Sequence, residues 1–267
     1  MNSSIIDYTL HLADNTLILA QRNAEWCGHG PILEQDIAIT NISLDLLGQS
    51  RNFYQYAAVL KNSSNYSGSS KALLFGEGLG EFNEDKLAYL RNEREFKNCL
   101  LVEQPNGDWA QTILRQFFFS TYQYLLYRQL QHNKDEQLAA IAAKALKEVT
   151  YHLRWSSEWV IRLGDGTIES HNRMLTAINE LWQYTGELFV NADYELAICK
   201  DGISIDLISI KEEWDKKVTE IFVEATLPIP GKTFMQSGGK EGKHSEYMGY
   251  ILADLQYMQR AYPGCEW

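Results

Sequence analysis

The chain has 267 residues, of which 45% are hydrophobic, and its 35 Asp and Glu outnumber 24 Lys and Arg, giving a formal net charge of −11. The acidic balance excludes nucleic acid as a partner, because phosphate recognition needs a basic face. With no secretory signal and no apolar run long enough to span a bilayer, we expect a cytoplasmic protein with no membrane partner. The four cysteines have no zinc-ligand spacing, which is typical of reduced, structural thiols.

Two long helices are predicted in the first part of the chain. Apolar residues at helical spacing favour a helix over residues 4–27, which ends at the glycines and proline of residues 28–31. A second helix is predicted over residues 32–60. So short a connection requires the two helices to pack antiparallel. Residues 61–83 are rich in Ser, Asn and Gly, which is typical of an exposed connection, and no function is assigned to them.

A second hairpin is predicted over residues 108–132 and 134–164. The first of these helices has aromatic residues on all sides, so it is either buried or part of an interface. The chain as a whole has 7 Trp, 15 Tyr and 10 Phe, a load that indicates a buried interface between subunits. The helix 134–164 has a regular apolar stripe that is interrupted by Glu148 and His152.

The rest of the chain also has helical periodicity, and no alternation long enough for a sheet is found. The sequence therefore predicts an all-α, single-domain protein over residues 1–267, with the two hairpins forming a four-helix core. The additional helices are predicted over residues 84–102, 169–190, 206–226 and 246–261.

A helical bundle with acids and His in its core is where di-iron carboxylate proteins build their metal site, using two lone Glu and two Glu-x-x-His pairs. Asp14 and Asp45 align across the first hairpin, and both are expected to face inward. However, the residue three positions after Asp45 is Gly48, and the residue three positions after Glu148 is Tyr151. The ligand set is therefore incomplete.

Two further observations weaken a metal site. In the antiparallel second hairpin the residue expected opposite Glu148 is Phe118, which is not a carboxylate. The one Glu-x-x-His of the chain, Glu241 to His244, lies in a glycine-rich loop. The residues thus favour a vestigial polar core of Asp14, Asp45, Glu148 and His152 with no catalytic, cofactor or metal ligand role, because buried charges persist when paired. The candidate partners for this core are Gln49, Arg51, Arg115, Lys144 and Tyr151.

Three alternatives stay open. In the first alternative, Asp14 or Glu148 simply faces solvent. In the second, the four polar residues form a minimal metal site, and the chain itself is an oxygenase. In the third alternative the chain is an acyl-CoA-binding module, in which Lys240 and Lys243 of the 231–244 loop hold the CoA phosphates. That loop lacks a P-loop pattern and follows no strand, which favours a surface loop.

Stretches spanning nearly the whole chain resemble the C subunits of bacterial phenylacetyl-CoA monooxygenases (epoxidases). The matching stretches are LADNTLILAQRNAEWCGHGP, DIAITNISLDLLGQSRNF, LLVEQPNGDWA, AKALKEVTYHLRWSSEWVIRLGDGT and GGKEGKHSEYMGYILADLQYMQR.

The resemblance implies a ferritin-like fold and a place in a multicomponent complex of phenylacetate breakdown. In that family the di-iron centre lies in a homologous A subunit, a reductase supplies electrons from NADPH, and the C subunit is a non-catalytic partner. Gly48 and Tyr151 stand where a catalytic relative would have iron-binding histidines, so no ligand role carries over to this chain. The expected partners are the A subunit, the reductase and the other components of the complex.

Overall fold

The computed structural model describes residues 3–65, 82–200, 202–203 and 205–265. These residues contain α-helices and short 3-10 turns but no strand. The helices are α1 (Ser3–Ala24), α2 (Leu33–Asn65), α3 (Glu84–Tyr89), α4 (Leu100–Glu103), α5 (Trp109–Leu130), α6 (Glu136–Gly164), α7 (Ile168–Leu181), α8 (Asp193–Lys200), α9 (Leu207–Glu224) and α10 (Glu246–Ala261). None of the described helices is long and apolar enough to cross a membrane.

The two predicted hairpins form the four-helix core. Helix α1 packs along α2, α5 packs along α6, and the hairpins meet where α2 contacts α6. On the other side, the amide of Asn23 in α1 donates a hydrogen bond of 2.7 Å to Gln116 in α5. Helices α7 and α9 then cover α5, and α8 covers α1. The later part of the chain is thus an outer layer on the bundle.

The second hairpin is defined by local sequence signals. Asp108 accepts hydrogen bonds from the backbone N–H groups of Ala110 and Gln111, and the side chain of Gln111 accepts in return from the N–H of Asp108. This reciprocal capping box fixes the start of α5. Helix α6 ends at Gly164, where a Cβ atom would lie 2.4 Å from the carbonyl oxygen of Ala225. A glycine is required there because the end of α9 approaches so closely.

The aromatic residues of α5 lie inside this chain. Phe118 packs against Trp182, Trp214 and Phe222, with ring centroids 5.5 to 6.0 Å apart. The indole N–H of Trp214 also donates to the carbonyl of Phe118 at 3.0 Å. The aromatic side chains of α5 therefore stabilise the contacts of α5 with α7 and α9.

The predicted helix over residues 84–102 is wrong. Helix α3 ends at Tyr89, and the chain then passes through a 3-10 turn and an extended stretch before α4. The backbone N–H of Lys97 donates to the Asp14 carboxylate at 2.8 Å, and that of Cys99 donates to the Asn15 amide oxygen at 2.8 Å. Because α1 side chains satisfy these backbone groups, the segment is stable without forming helix.

Smaller differences concern the ends of elements. The predicted helix 169–190 stops at Leu181 and continues as two 3-10 turns, Trp182–Tyr184 and Gly186–Phe189. Helix α2 continues to Asn65, five residues past its predicted end. The rest of the predicted connection, residues 66–81, lies outside the described residues.

Candidate functional site

Polar side chains of α2 and α6 meet in matched pairs. The Oδ2 atom of Asp45 lies 3.0 Å from Nε2 of His152, and the Nε2 amide of Gln49 donates to Oε2 of Glu148 at 2.9 Å. Both helices contribute residues four positions apart, and the helices run antiparallel, so each pair is one turn from the other. We call Asp45, Gln49, Glu148 and His152 the α2–α6 polar ladder.

Helix α5 adds neutral groups to this ladder. The Gln49 amide oxygen accepts hydrogen bonds from Gln123 at 3.0 Å and from the Tyr127 hydroxyl at 3.4 Å. Burial raises the pKa of Tyr127, so its hydroxyl stays protonated and donates. Helix α5 therefore contacts the ladder through the amide of Gln123 and the phenol of Tyr127. Phe118, which was predicted to lie opposite Glu148, packs in the aromatic cluster instead.

Asp14 forms a separate site. Its carboxylate contacts both terminal nitrogens of Arg91, one at 3.1 Å, and accepts from the Tyr54 hydroxyl at 2.5 Å. Arg91 also stacks on the ring of Phe96, 4.1 Å from its centroid. Both charged side chains are buried. The predicted polar core is thus divided: Asp45, Glu148 and His152 belong to the ladder, and Asp14 belongs to an ion pair with Arg91.

Among the predicted partners, Gln49 donates a hydrogen bond to one of the four polar residues, Glu148. Arg115 instead donates to the carbonyl of Gln104 at 2.6 Å, and Arg51 is largely exposed. Sequence reasoning misses Arg91, because it lies in a charge-rich stretch that is typical of a surface helix. Nothing in the neighbouring sequence distinguishes it from an exposed arginine.

The donor set does not fit a di-iron centre. Gly48 is exposed, with no other part of the described structure within 4 Å of where its Cβ would be apart from its own helix, and Tyr151 is partly exposed. The Nε2 of His152 faces Asp45, and its Nδ1 is buried without a described hydrogen-bond partner. Throughout residues 3–65, 82–200, 202–203 and 205–265, no three His, Cys, Asp or Glu side chains are grouped as metal ligands.

The glycine-rich loop is anchored to the protein interior. Lys240 is only 3% exposed, and its ammonium lies 3.0 Å from the Glu195 carboxylate. Gly242 has a φ of +78°, and a Cβ there would lie 2.2 Å from the carbonyl oxygen of Arg94. Of the two lysines considered for CoA phosphates, Lys240 is therefore engaged, and Lys243 is exposed beside Glu241 at 3.3 Å.

His244 joins this loop to α4 and not to Glu241. Its Nδ1 lies 2.8 Å from the Glu103 carboxylate, and its Nε2 lies 3.0 Å from the carbonyl oxygen of Phe96. Because both neighbours are acceptors, the ring is held as an imidazolium that donates from both nitrogens. Burial lowers the pKa of His244, but the hydrogen bond and charge of Glu103 and the Phe96 carbonyl raise it above 6.5 overall.

A groove of about 630 Å³ opens between α5, α6 and α9. Its apolar part is formed by Leu125, Leu153 and Ile221, and charged residues such as Arg154 and Lys216 also line it. No residue of the polar ladder lines this groove. The groove and the ladder are therefore separate features of the bundle.

The whole chain, residues 1–267, matches a family model described as phenylacetic acid catabolic protein. It is 47% identical over 260 residues to the C subunit of 1,2-phenylacetyl-CoA epoxidase from Escherichia coli (strain K12), a match that covers 97% of this chain and 98% of that protein. These findings confirm the predicted resemblance and the all-α, ferritin-like fold. The chain therefore belongs to the phenylacetic acid catabolic protein family.

Proposed function

We propose that this chain is the C subunit of a phenylacetyl-CoA epoxidase and that it supports the homologous catalytic A subunit without holding iron itself. The near full-length identity to the C subunit of such an epoxidase supports the first part. The observation that supports the second is the α2–α6 polar ladder, whose carboxylates each contact one neutral or imidazole partner. Carboxylates that share a metal pair must converge on it instead.

In this function the ladder is a structural element. It fixes the register of α2 against α6, because Asp45 and Glu148 provide hydrogen-bond partners for the buried side chains of His152 and Gln49. The Asp14–Arg91 pair ties the extended segment after α3 to α1, and the Glu103–His244 pair ties the C-terminal loop to α4. Together these contacts hold the segments that surround the bundle in fixed positions.

The remaining components follow from the proposed assignment. The di-iron centre and the oxygen chemistry belong to the A subunit, and electrons from NADPH reach it through the reductase. This chain takes part in the reaction through assembly and not through a reacting group. Phenylacetate breakdown is then the process that the complex serves.

The iron content of the purified chain, alone and co-expressed with its catalytic homologue, tests this function. We expect iron only in the complex, at about two ions per catalytic subunit. Epoxidase activity is expected only when both subunits and the reductase are present. Stoichiometric iron or oxygenase activity in the isolated chain would overturn the proposal and make Glu148 and His152 the first ligands to examine.

A further inference from the structure

Helix α2 is apolar on two sides. Ile39, Ile42 and Leu46 are buried against the bundle. On the other side, Leu33, Ile37, Leu44 and Leu47 are exposed by 71%, 52%, 60% and 43%. Their spacing of four, seven and three residues places them on one helix face. We call these four residues the α2 ridge. A helix that is apolar on two sides belongs between two packed bodies.

The ridge brings four exposed aliphatic side chains to one face of a single helix. It covers 15 positions of one helix, or about 21 Å at 1.5 Å per residue. Gly48 follows at its end and has open space around it, so a facing helix can approach the backbone there. By contrast, Ile208 and Val223 on α9 are exposed singly, 15 residues apart. Single exposed apolar residues are ordinary, but several on one helix face indicate an interaction site.

The charges of α2 indicate what charge a partner of the ridge would carry. Beside the ridge, α2 contributes the carboxylates of Glu34, Asp36 and Asp45. Its one cation in this region, Arg51, lies 3.5 Å from Glu84. A second copy of the chain would bring these acids together and add its own net charge of −11. A complementary partner presents an apolar helix face flanked by Lys or Arg.

We propose that the α2 ridge is the surface on which the catalytic A subunit docks, through an apolar helix face with basic flanks. This inference rests on the proposed function. The ridge lies on the same helix as Asp45 and Gln49, so the contacts of these two residues with α6 fix the position of the helix that carries the docking surface.

The test measures the affinity of the chain for the purified catalytic subunit by biolayer interferometry. The variant Leu33→Gln/Leu44→Gln is compared with Ile208→Gln/Val223→Gln, which alters residues of similar exposure (75% and 71%) on α9. We expect the ridge variant to weaken binding at least about thirtyfold, because central apolar contacts dominate interface energy. The α9 control is expected to bind within about threefold of the wild type.

A second measurement does not depend on a disruptive variant. A photocrosslinking p-benzoylphenylalanine replaces Asn41, an exposed residue within the ridge span, or Glu212 on α9 as the control. We expect crosslinks to the catalytic subunit from position 41 and none from position 212.

The outcomes separate the two proposals. If the wild-type chain fails to bind the catalytic subunit, the proposed function itself is wrong. Wild-type binding with an unaffected ridge variant, or equal loss in the α9 control, overturns the ridge assignment alone. A wild-type homodimer in sedimentation that the ridge variant converts to monomer shows that a second copy occupies the ridge, which also overturns it.

Discussion

The imidazole of His152 faces the carboxylate of Asp45 at 3.0 Å across the α2–α6 contact, one turn from the bond between Gln49 and Glu148. The positions i+3 from Asp45 and from Glu148 are a glycine and a tyrosine, so neither helix has a Glu-x-x-His pair to turn toward a metal. Because Asp45 pairs with His152 and Glu148 pairs with Gln49, these side chains set the register of α2 against α6.

The first prediction concerns the ladder. Replacing Glu148 and His152 together by Gln should lower the free energy of unfolding by about 1–3 kcal/mol, because two part-buried hydrogen bonds are lost. Iron content and turnover of the assembled complex should stay within about twofold of the wild type, measured at saturating concentrations of this chain. The exposed neighbour Lys147, changed to Gln, is the control for stability. A proportional loss of iron would instead identify the ladder as a metal site.

A second prediction concerns the buried ion pair. Changing Arg91 to Met leaves the Asp14 carboxylate buried without its cation, and we expect a loss of about 3–5 kcal/mol of unfolding free energy in urea. The matched change Arg51→Met removes an exposed contact with Glu84 and should cost about 0–1 kcal/mol. Adding Asp14→Asn to Arg91→Met should recover part of the loss. Equal effects of the two arginine variants would contradict the role assigned to Arg91.

The third prediction uses the raised pKa of His244. Its folded-state pKa lies above the unfolded value of 6.5, so the stability it contributes is complete below pH 6.5 and is lost as pH rises through the folded pKa. The stability difference between wild type and His244→Gln should therefore narrow above pH 6.5, by at most about 1.4 kcal/mol per pH unit. Urea unfolding at a series of pH values measures this, and a difference that widens with pH contradicts it.

The fourth prediction concerns His11, for which stability should change with pH in the opposite direction. Burial first, and then the charge of Lys240, lower the pKa of His11 to about 4. Its Nδ1 lies 2.7 Å from the carbonyl oxygen of Lys97, and the Asn15 amide lies 3.2 Å from its Nε2, as suits a neutral ring. The stability it contributes is complete above pH 6.5 and is lost as pH falls toward 4.

The His11→Gln variant checks this in the same experiment. The advantage of the wild type over this variant should shrink between pH 6.5 and 4 and stay constant above pH 6.5, where the advantage over His244→Gln is shrinking. Each histidine variant is thus the control for the other. A wild-type advantage that does not change between pH 4 and 6.5 would show that His11 is not held neutral.

The fifth prediction concerns the glycine-rich loop. Lys240→Ala should destabilise the fold by about 3–5 kcal/mol, because the Glu195 carboxylate then lies buried and unpaired. Lys243→Ala, which changes an exposed side chain of the same loop, should stay within about 0.5 kcal/mol. Calorimetry with CoA thioesters should show no binding to the isolated chain. Binding that Lys243→Ala removes would instead support the acyl-CoA alternative.

The sequence by itself determined the helices of the core hairpins, because their signals are local. Asp108 and Asp135 occupy cap positions, and apolar spacing marks the buried faces. Gly48 and Tyr151 likewise showed from position alone that the ligand pattern was incomplete. The family resemblance agreed with both observations.

Only the tertiary structure decided how the polar residues pair. Arg91 reaches Asp14 across 77 positions, and His152 reaches Asp45 across 107. The stretch predicted as one helix over residues 84–102 bonds instead to side chains of α1 that are more than 80 positions away. Such partners outweigh local helix propensity, because a buried donor left without an acceptor costs more than a turn of helix contributes. No pattern within the segment itself contains that information.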